Sequence, residues 1–131
     1  MDLWDTNGHS FSMEMTKFFI KNSKIVVFVY DITDRIGFQE LTDWIEIARE
    51  ILGIYIICGI MGNKSDLFEK QEISNEEAET FAKSNGMKIR FVSTLENALG
   101  IKEFMAELLD DYLKTKIKKY KIEKIFKYYN Y

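Results

Sequence analysis

The 131 residues include no proline, one cysteine (Cys58) and one histidine (His9). A single cysteine rules out an intrachain disulfide framework and a cysteine-built metal site, which favours an intracellular setting. Without proline, the only punctuation by residue type comes from seven glycines, at 8, 37, 53, 59, 62, 86 and 100. No stretch approaches the roughly 18 uninterrupted apolar residues of a membrane span. The start, Met1-Asp2-Leu3-Trp4-Asp5, has neither the basic residues nor the apolar core of a signal peptide. There is no internal repeat. Apolar residues make up 47% and aromatics 15%, enough for one buried core and too much for a disordered chain.

Charge divides the chain in two. Residues 114–131 hold seven lysines against one acid, a net of +6, which leaves −9 on residues 1–113. Two units are therefore expected, a body at 1–113 and a basic, aromatic-rich helical extension or tail at 114–131. In the tail, Ile117, Tyr120, Ile122, Ile125, Phe126 and Tyr129 alternate with lysines, a pattern suited to a solvated helix or to anionic membrane.

Along the body, residues 1–4 read as the end of a strand running into a loop at 5–10, and Met13–Lys21 as a short helix. Ile25-Val26-Val27-Phe28-Val29-Tyr30 is a continuous apolar, β-rich run, the signature of a strand covered on both faces. Phe38, Leu41, Trp44, Ile45, Ala48, Ile51 and Leu52 recur at helical spacing up to Gly53. The apolar run Ile54–Met61 predicts another buried strand. Ser74-Asn75-Glu76-Glu77 has the form of a capping box opening a helix that ends at Gly86. A third strand is expected at Lys88–Ser93. A long helix follows from near Gly100, with Ile101, Phe104, Met105, Leu108, Leu109 and Tyr112 on one face. This alternation demands a mostly parallel sheet between helical layers, with the loops at 5–10, 31–36, 62–73 and 93–99 on one rim.

Three rim segments carry chemistry. Asp5-Thr6-Asn7-Gly8 is an Asp-x-x-Gly turn, where Asp5 can hold a metal-bound water and Gly8 can bring its amide close to a phosphate. Asn63-Lys64-Ser65-Asp66 supplies a carboxylate for two neighbouring N–H donors, an amide to tie loops together and a lysine stem to cover a flat ring. Thr94-Leu95-Glu96 could offer a backbone N–H to a purine oxygen. Asp31, Thr33 and Asp34 read as loop and cap residues. Cys58 reads as a small core hydrophobe.

In this order and context the segments resemble small GTPases of the Rab group. Trp4-Asp5-Thr6-Asn7-Gly8-His9-Ser10 looks like Trp-Asp-Thr-Ala-Gly-Gln-Glu, Val29-Tyr30-Asp31-Ile32-Thr33 matches as it stands, and Gly62–Leu67 matches Gly-Asn-Lys-x-Asp-Leu. Thr94-Leu95-Glu96 stands where the family has Ser-Ala-Lys. The resemblance implies a P-loop NTPase-like three-layer fold, GTP or GDP with magnesium, and a switch in vesicle traffic. By the same resemblance Asp66 binds the guanine edge, Asn63 braces the base loop, Lys64 lies along the ring and Leu95 donates to O6. Gly8 meets the γ-phosphate and Asp5 the magnesium through water. Trp4 and Phe19 fall where Rab proteins present aromatics to effectors.

The sequence also departs from the family. It contains no Gly-Lys dipeptide, hence no Gly-x-x-x-x-Gly-Lys-Ser/Thr phosphate loop, and the family's first strand and first helix have no counterpart. An open edge beside Ile25–Tyr30 is the expected consequence. His9 stands where the family has the water-orienting glutamine, and an imidazole lacks that amide's matched donor and acceptor. Leu95 and Glu96 change the wall of the base pocket. The expectation is a domain truncated at its N-terminus, with weak or absent nucleotide binding, poor hydrolysis and no nucleic-acid partner. Ending in Tyr128-Tyr129-Asn130-Tyr131, it has no prenylation signal, so a cytoplasmic place, peripheral to endomembranes, is expected. The alternatives are a non-enzymatic pseudo-GTPase interaction module and a basic-tail membrane adaptor.

Overall fold

A computed structural model describes residues 3–6, 13–96 and 98–129, without the side chains of residues 13, 15, 98 and 122–129. The elements run α1 (Met13–Asn22), β1 (Ile25–Asp31), α2 (Arg35–Leu52), β2 (Ile57–Asn63), a short 3₁₀ helix (Ser65–Lys70), α3 (Asn75–Ser84), β3 (Lys88–Phe91) and α4 (Ala98–Tyr129). The three strands form an all-parallel sheet in the order β1-β2-β3. Helices α1 to α3 cover one face, where Ile20, Phe28, Tyr30, Leu41, Ile45, Ile60 and Ala78 share a core. Helix α4 covers the other with Phe104 and Leu108. Gly59 lets α4 approach, since a Cβ there would stand 2.8 Å from both Leu108 Cδ1 and Phe104 Cζ.

Local chemistry sets the element ends. Helix α2 begins at Arg35, three residues before the periodicity predicts, because Asp34 caps it: its Oδ1 accepts the Ile36 and Gly37 N–H groups at 3.1 and 3.0 Å. Ser74 caps α3 by accepting the Glu77 N–H at 3.1 Å, as the capping box predicts. Strand β2 corrects the expected start at Ile54. Gly53 closes α2 at φ 81°, and the turn after it leaves Ile54 and Tyr55 in solvent, Tyr55 88% exposed. Apolar composition alone could not separate that turn from the strand. Strand β3 likewise stops at Phe91, short of the expected Ser93: the Val92 N–H still reaches the Gly62 carbonyl of β2, but its carbonyl accepts from Ser65 in the loop after β2.

The strand expected at residues 1–4 is corrected at its described end, where residues 3–6 have no regular structure, and its first two residues lie outside the described residues. Among the described residues no strand lies beside them to pair with, and Trp4 instead stacks on Phe19 of α1 with ring centroids 4.8 Å apart. Among the described residues β1 pairs only with β2. Helix α4 continues without a break past residue 113 to Tyr129. Among the described residues no helix is long and apolar enough to cross a membrane.

Candidate functional site

The site grows from the register of β1 and β2. Asp31 lies opposite Asn63, so the two strands end level and their loops leave the sheet side by side. The Ile32 N–H donates to the Asn63 carbonyl at 3.1 Å, and the Glu72 N–H donates to the Ile32 carbonyl at 2.9 Å, which binds the first loop to the second. Glycine is required at position 62, where a Cβ would stand 2.9 Å from both Phe91 Cδ1 and Tyr30 Oη. The third loop is drawn in by two more bonds, Val92 N–H to the Gly62 carbonyl at 2.8 Å and Ser65 N–H to the Val92 carbonyl at 3.0 Å.

Side chains complete the junction. Asn63 Oδ1 accepts the Thr94 N–H at 3.3 Å, the loop-tying role its amide suggests. The hydroxyl of buried Ser93 accepts the N–H groups of Leu95 at 3.3 Å and Glu96 at 3.2 Å, which curls residues 93–96 over the rim. The Leu95 amide is thus held by a long bond, near the weak end of the range for N–H···O. The Leu95 and Glu96 side chains face solvent.

Lys64 has φ 63° and ψ 36°, the only non-glycine residue with positive φ among the described residues. This left-handed geometry is costly for an L-residue, and such strain clusters at binding sites. Two contacts hold it: the Lys64 carbonyl accepts the Leu67 N–H at 2.8 Å, and the Lys64 ammonium lies 2.5 Å from Asp31 Oδ2. Asp31 is fixed in turn, because its Oδ1 accepts the Thr33 N–H and hydroxyl at 2.9 and 2.8 Å. Partial burial works to raise the Asp31 pKa, but hydrogen bonds from Lys64 and Thr33 outweigh it and hold the carboxyl below its ordinary value. The same bond raises the Lys64 pKa. Asp31 is the residue sequence reasoning missed, having been read as a loop acid. The available signal was an acid at the last position of a buried strand, level with the asparagine of the neighbouring motif.

Asp66 lies in the first turn of the 3₁₀ helix, half-buried, and its charge acts on the neighbouring Lys64. Asn63, Lys64, Asp66, Thr94, Leu95 and Glu96 therefore occupy one end of the sheet, as the sequence places them. Asp5 is exposed, on the segment 3–6. Gly8 and His9 lie outside the described residues. Among the described residues no group of three or more His, Cys, Asp or Glu could hold a metal ion.

The Asp66 carboxylate suits a pair of adjacent N–H donors, and the Leu95 amide a carbonyl oxygen. A three-layer parallel α/β fold with Asn-Lys-x-Asp at a strand end, bridged to the next strand's loop, defines the class of Ras-like P-loop GTPase domains. The sequence model of the Ras family matches residues 1–114, and the chain belongs to that family as a Rab-like small GTPase. It is similar to the Ras-related protein Rab-21 of Homo sapiens and of Bos taurus, in each case 34% identical over 113 residues. That alignment takes in 86% of this chain and 50% of the relative, so the chain spans about half the length of the curated relatives it matches.

Proposed function

We propose that these residues form the base-recognition part of a Rab-like guanine-nucleotide domain, and that by themselves they bind nucleotide weakly. The bridge from Asn63 to the Thr94 amide carries the reading, because it sets the two base loops against each other beside the Asp66 carboxylate. In this reading Asp66 takes the N1 and N2 groups of guanine, Lys64 covers the ring, and the Leu95 amide leaves Ser93 for O6. Thr94 and Glu96 line the base-loop wall. Gly8 and Asp5 serve the γ-phosphate and the magnesium of GTP or GDP, and His9 replaces the water-orienting amide, a poor exchange for hydrolysis. Bound nucleotide supplies the charge that family members read as a switch in vesicle traffic.

The weak binding expected of these 131 residues alone rests on their containing no Gly-Lys dipeptide. Backbone amides and a lysine in that loop carry much of the phosphate affinity in P-loop proteins. The expected result of a fluorescent-GDP titration is therefore weak binding, with little gain from magnesium. Submicromolar, magnesium-dependent affinity would overturn that expectation, and loss of the weak binding in Asp66→Ala would tie it to the base loop.

The second reading is a non-enzymatic pseudo-GTPase that binds protein partners. The exposed Trp4, stacked on Phe19, favours it. Residues 114–131 extend the body as a basic segment suited to anionic membrane.

A further inference from the structure

The lysine of the rim motif is held from outside its own loop. Asn63 ties that loop to Thr94 on one side. On the other side the tie is Asp31, the last residue of β1, which the parallel register brings level with Asn63. The two oxygens of its carboxylate have separate tasks. Oδ1 accepts the Thr33 N–H and hydroxyl at 2.9 and 2.8 Å, which orients the carboxyl group, and Oδ2 meets the Lys64 ammonium at 2.5 Å. The aspartate is the sheltered member of the pair, its side chain 23% exposed against 51% for the lysine. Asp31 is therefore the fixed point, and Lys64 is the residue being placed.

A lysine has a flexible four-carbon stem that samples many directions when its end is free. With the ammonium on Asp31, the Lys64 stem has to run from the loop after β2 across to the end of β1. Its methylenes then make an apolar strip of set direction, and its charge is already met. Such a strip suits the face of a flat ring, whereas a phosphate would call on the ammonium itself. Other acids of the rim are engaged elsewhere: Asp34 Oδ1 accepts from Ile36 and Gly37, and Glu72 Oε2 from the Arg35 N–H. Among the described residues Asp31 is the one acid within ion-pair distance of Lys64.

We infer that Asp31 is a positioning residue for base recognition, one that acts through Lys64 by holding its stem along the plane of a purine while Asp66 takes the ring's N–H edge. The inference rests on the guanine reading above and deepens it: the lysine recognises the ring and leaves the phosphates to other groups.

The test titrates the full chain with fluorescent GDP, against which unlabelled GDP and inosine diphosphate, lacking the exocyclic amine, compete. Asp31→Asn keeps an oxygen for Thr33 and removes a negative charge from the rim, so charge alone would tighten the binding of an anionic nucleotide. The positioning role gives the opposite sign, a loss of about two- to fivefold for GDP and inosine diphosphate alike. The preference between the two, which Asp66 sets, should stay as in the parent. Lys64→Met keeps the stem and loses the ammonium; it should weaken binding to a similar degree, and the double variant should be no weaker, because the two residues act as one unit. Glu69→Gln, at an exposed acid of the same 3₁₀ helix, should leave the affinity as it is. Circular dichroism confirms that each variant is folded. Unchanged or tighter binding in Asp31→Asn, or losses that add in the double variant, would overturn the role of Asp31 and leave the guanine reading standing. A parent chain that shows no preference for GDP over inosine diphosphate, or an Asp66→Ala variant that binds as the parent does, would overturn the guanine reading and this inference with it.

Discussion

The two ends of the sheet's hydrogen-bonding problem are solved in opposite ways. At the carboxyl rim, the loops after β1, β2 and β3 are tied by Ile32 to Asn63, Ser65 to Val92, Asn63 to Thr94 and Lys64 to Asp31, so that irregular backbone is held by specific partners. Along the outer edge of β1, regular backbone and apolar side chains face a trough. Order therefore does not follow regular secondary structure in this molecule. The 3₁₀ turn at the rim is over-determined, whereas one side of a seven-residue strand has no partner among the described residues. A binding site draws on the first condition, preset polar groups at the rim.

The sharpest way to break this contrast is to truncate one side chain on each side of it. Ile60, on β2 behind the rim, is wholly buried, and Ile60→Ala should destabilise the domain by about 2–5 kcal/mol through lost burial and the cavity left. Val29, on the neighbouring strand, faces the trough, and Val29→Ala should cost about 0.5 kcal/mol or less. Urea unfolding followed by circular dichroism measures both. Comparable losses would mean that the edge of β1 is packed as tightly as the centre of the sheet.

Much of this was legible in the sequence, for identifiable reasons. Long apolar periodicities and local caps revealed α2, α3 and α4, because such signals need only neighbours in sequence. The rim motif was legible because Asn63, Lys64 and Asp66 sit in one loop. The start of β2 was not, since Ile54, Tyr55 and Ile56 have a strand's composition and only the geometry of Gly53 turns Ile54 and Tyr55 outward. Residues 3–4 had strand-like context, but among the described residues no strand pairs with them. Asp31 was missed because its partner is Lys64, remote in sequence and adjacent only through the parallel register.

A smaller effect sharpens the rim side. Tyr30 sends its hydroxyl under Gly62, where among the described residues it has no hydrogen-bond partner. Burial, with the negative charge of Glu77 adding to it, raises its pKa to about 12, so the group stays neutral. Removing a buried, unsatisfied hydroxyl while keeping the ring should stabilise the fold, so Tyr30→Phe is expected to gain about 1 kcal/mol in the same assay. The ring's contact with Phe38, centroids 4.9 Å apart, would be kept. A loss of stability would reveal a partner for that hydroxyl.

The smallest expected effect tests what holds Lys64 in its left-handed turn. Asp31 titrates below its ordinary value of 3.8 in the folded chain. A carboxyl with a depressed folded pKa binds fewer protons than the unfolded chain does near that value, so it contributes stability above the unfolded pKa. That contribution falls away as the pH drops from about 3.8 through the lower folded value. Asp31→Asn removes the titration and the ion pair together, while leaving an oxygen able to accept from Thr33. The variant should be slightly less stable than the parent near neutral pH, and the difference should shrink as the pH falls below 3.8. Salt should also narrow the gap, because Lys64 is exposed and its attraction to Asp31 is screened. A gap that persists unchanged into acid and high salt would place Asp31's role in shape alone and leave the strained lysine held by its backbone bond to Leu67.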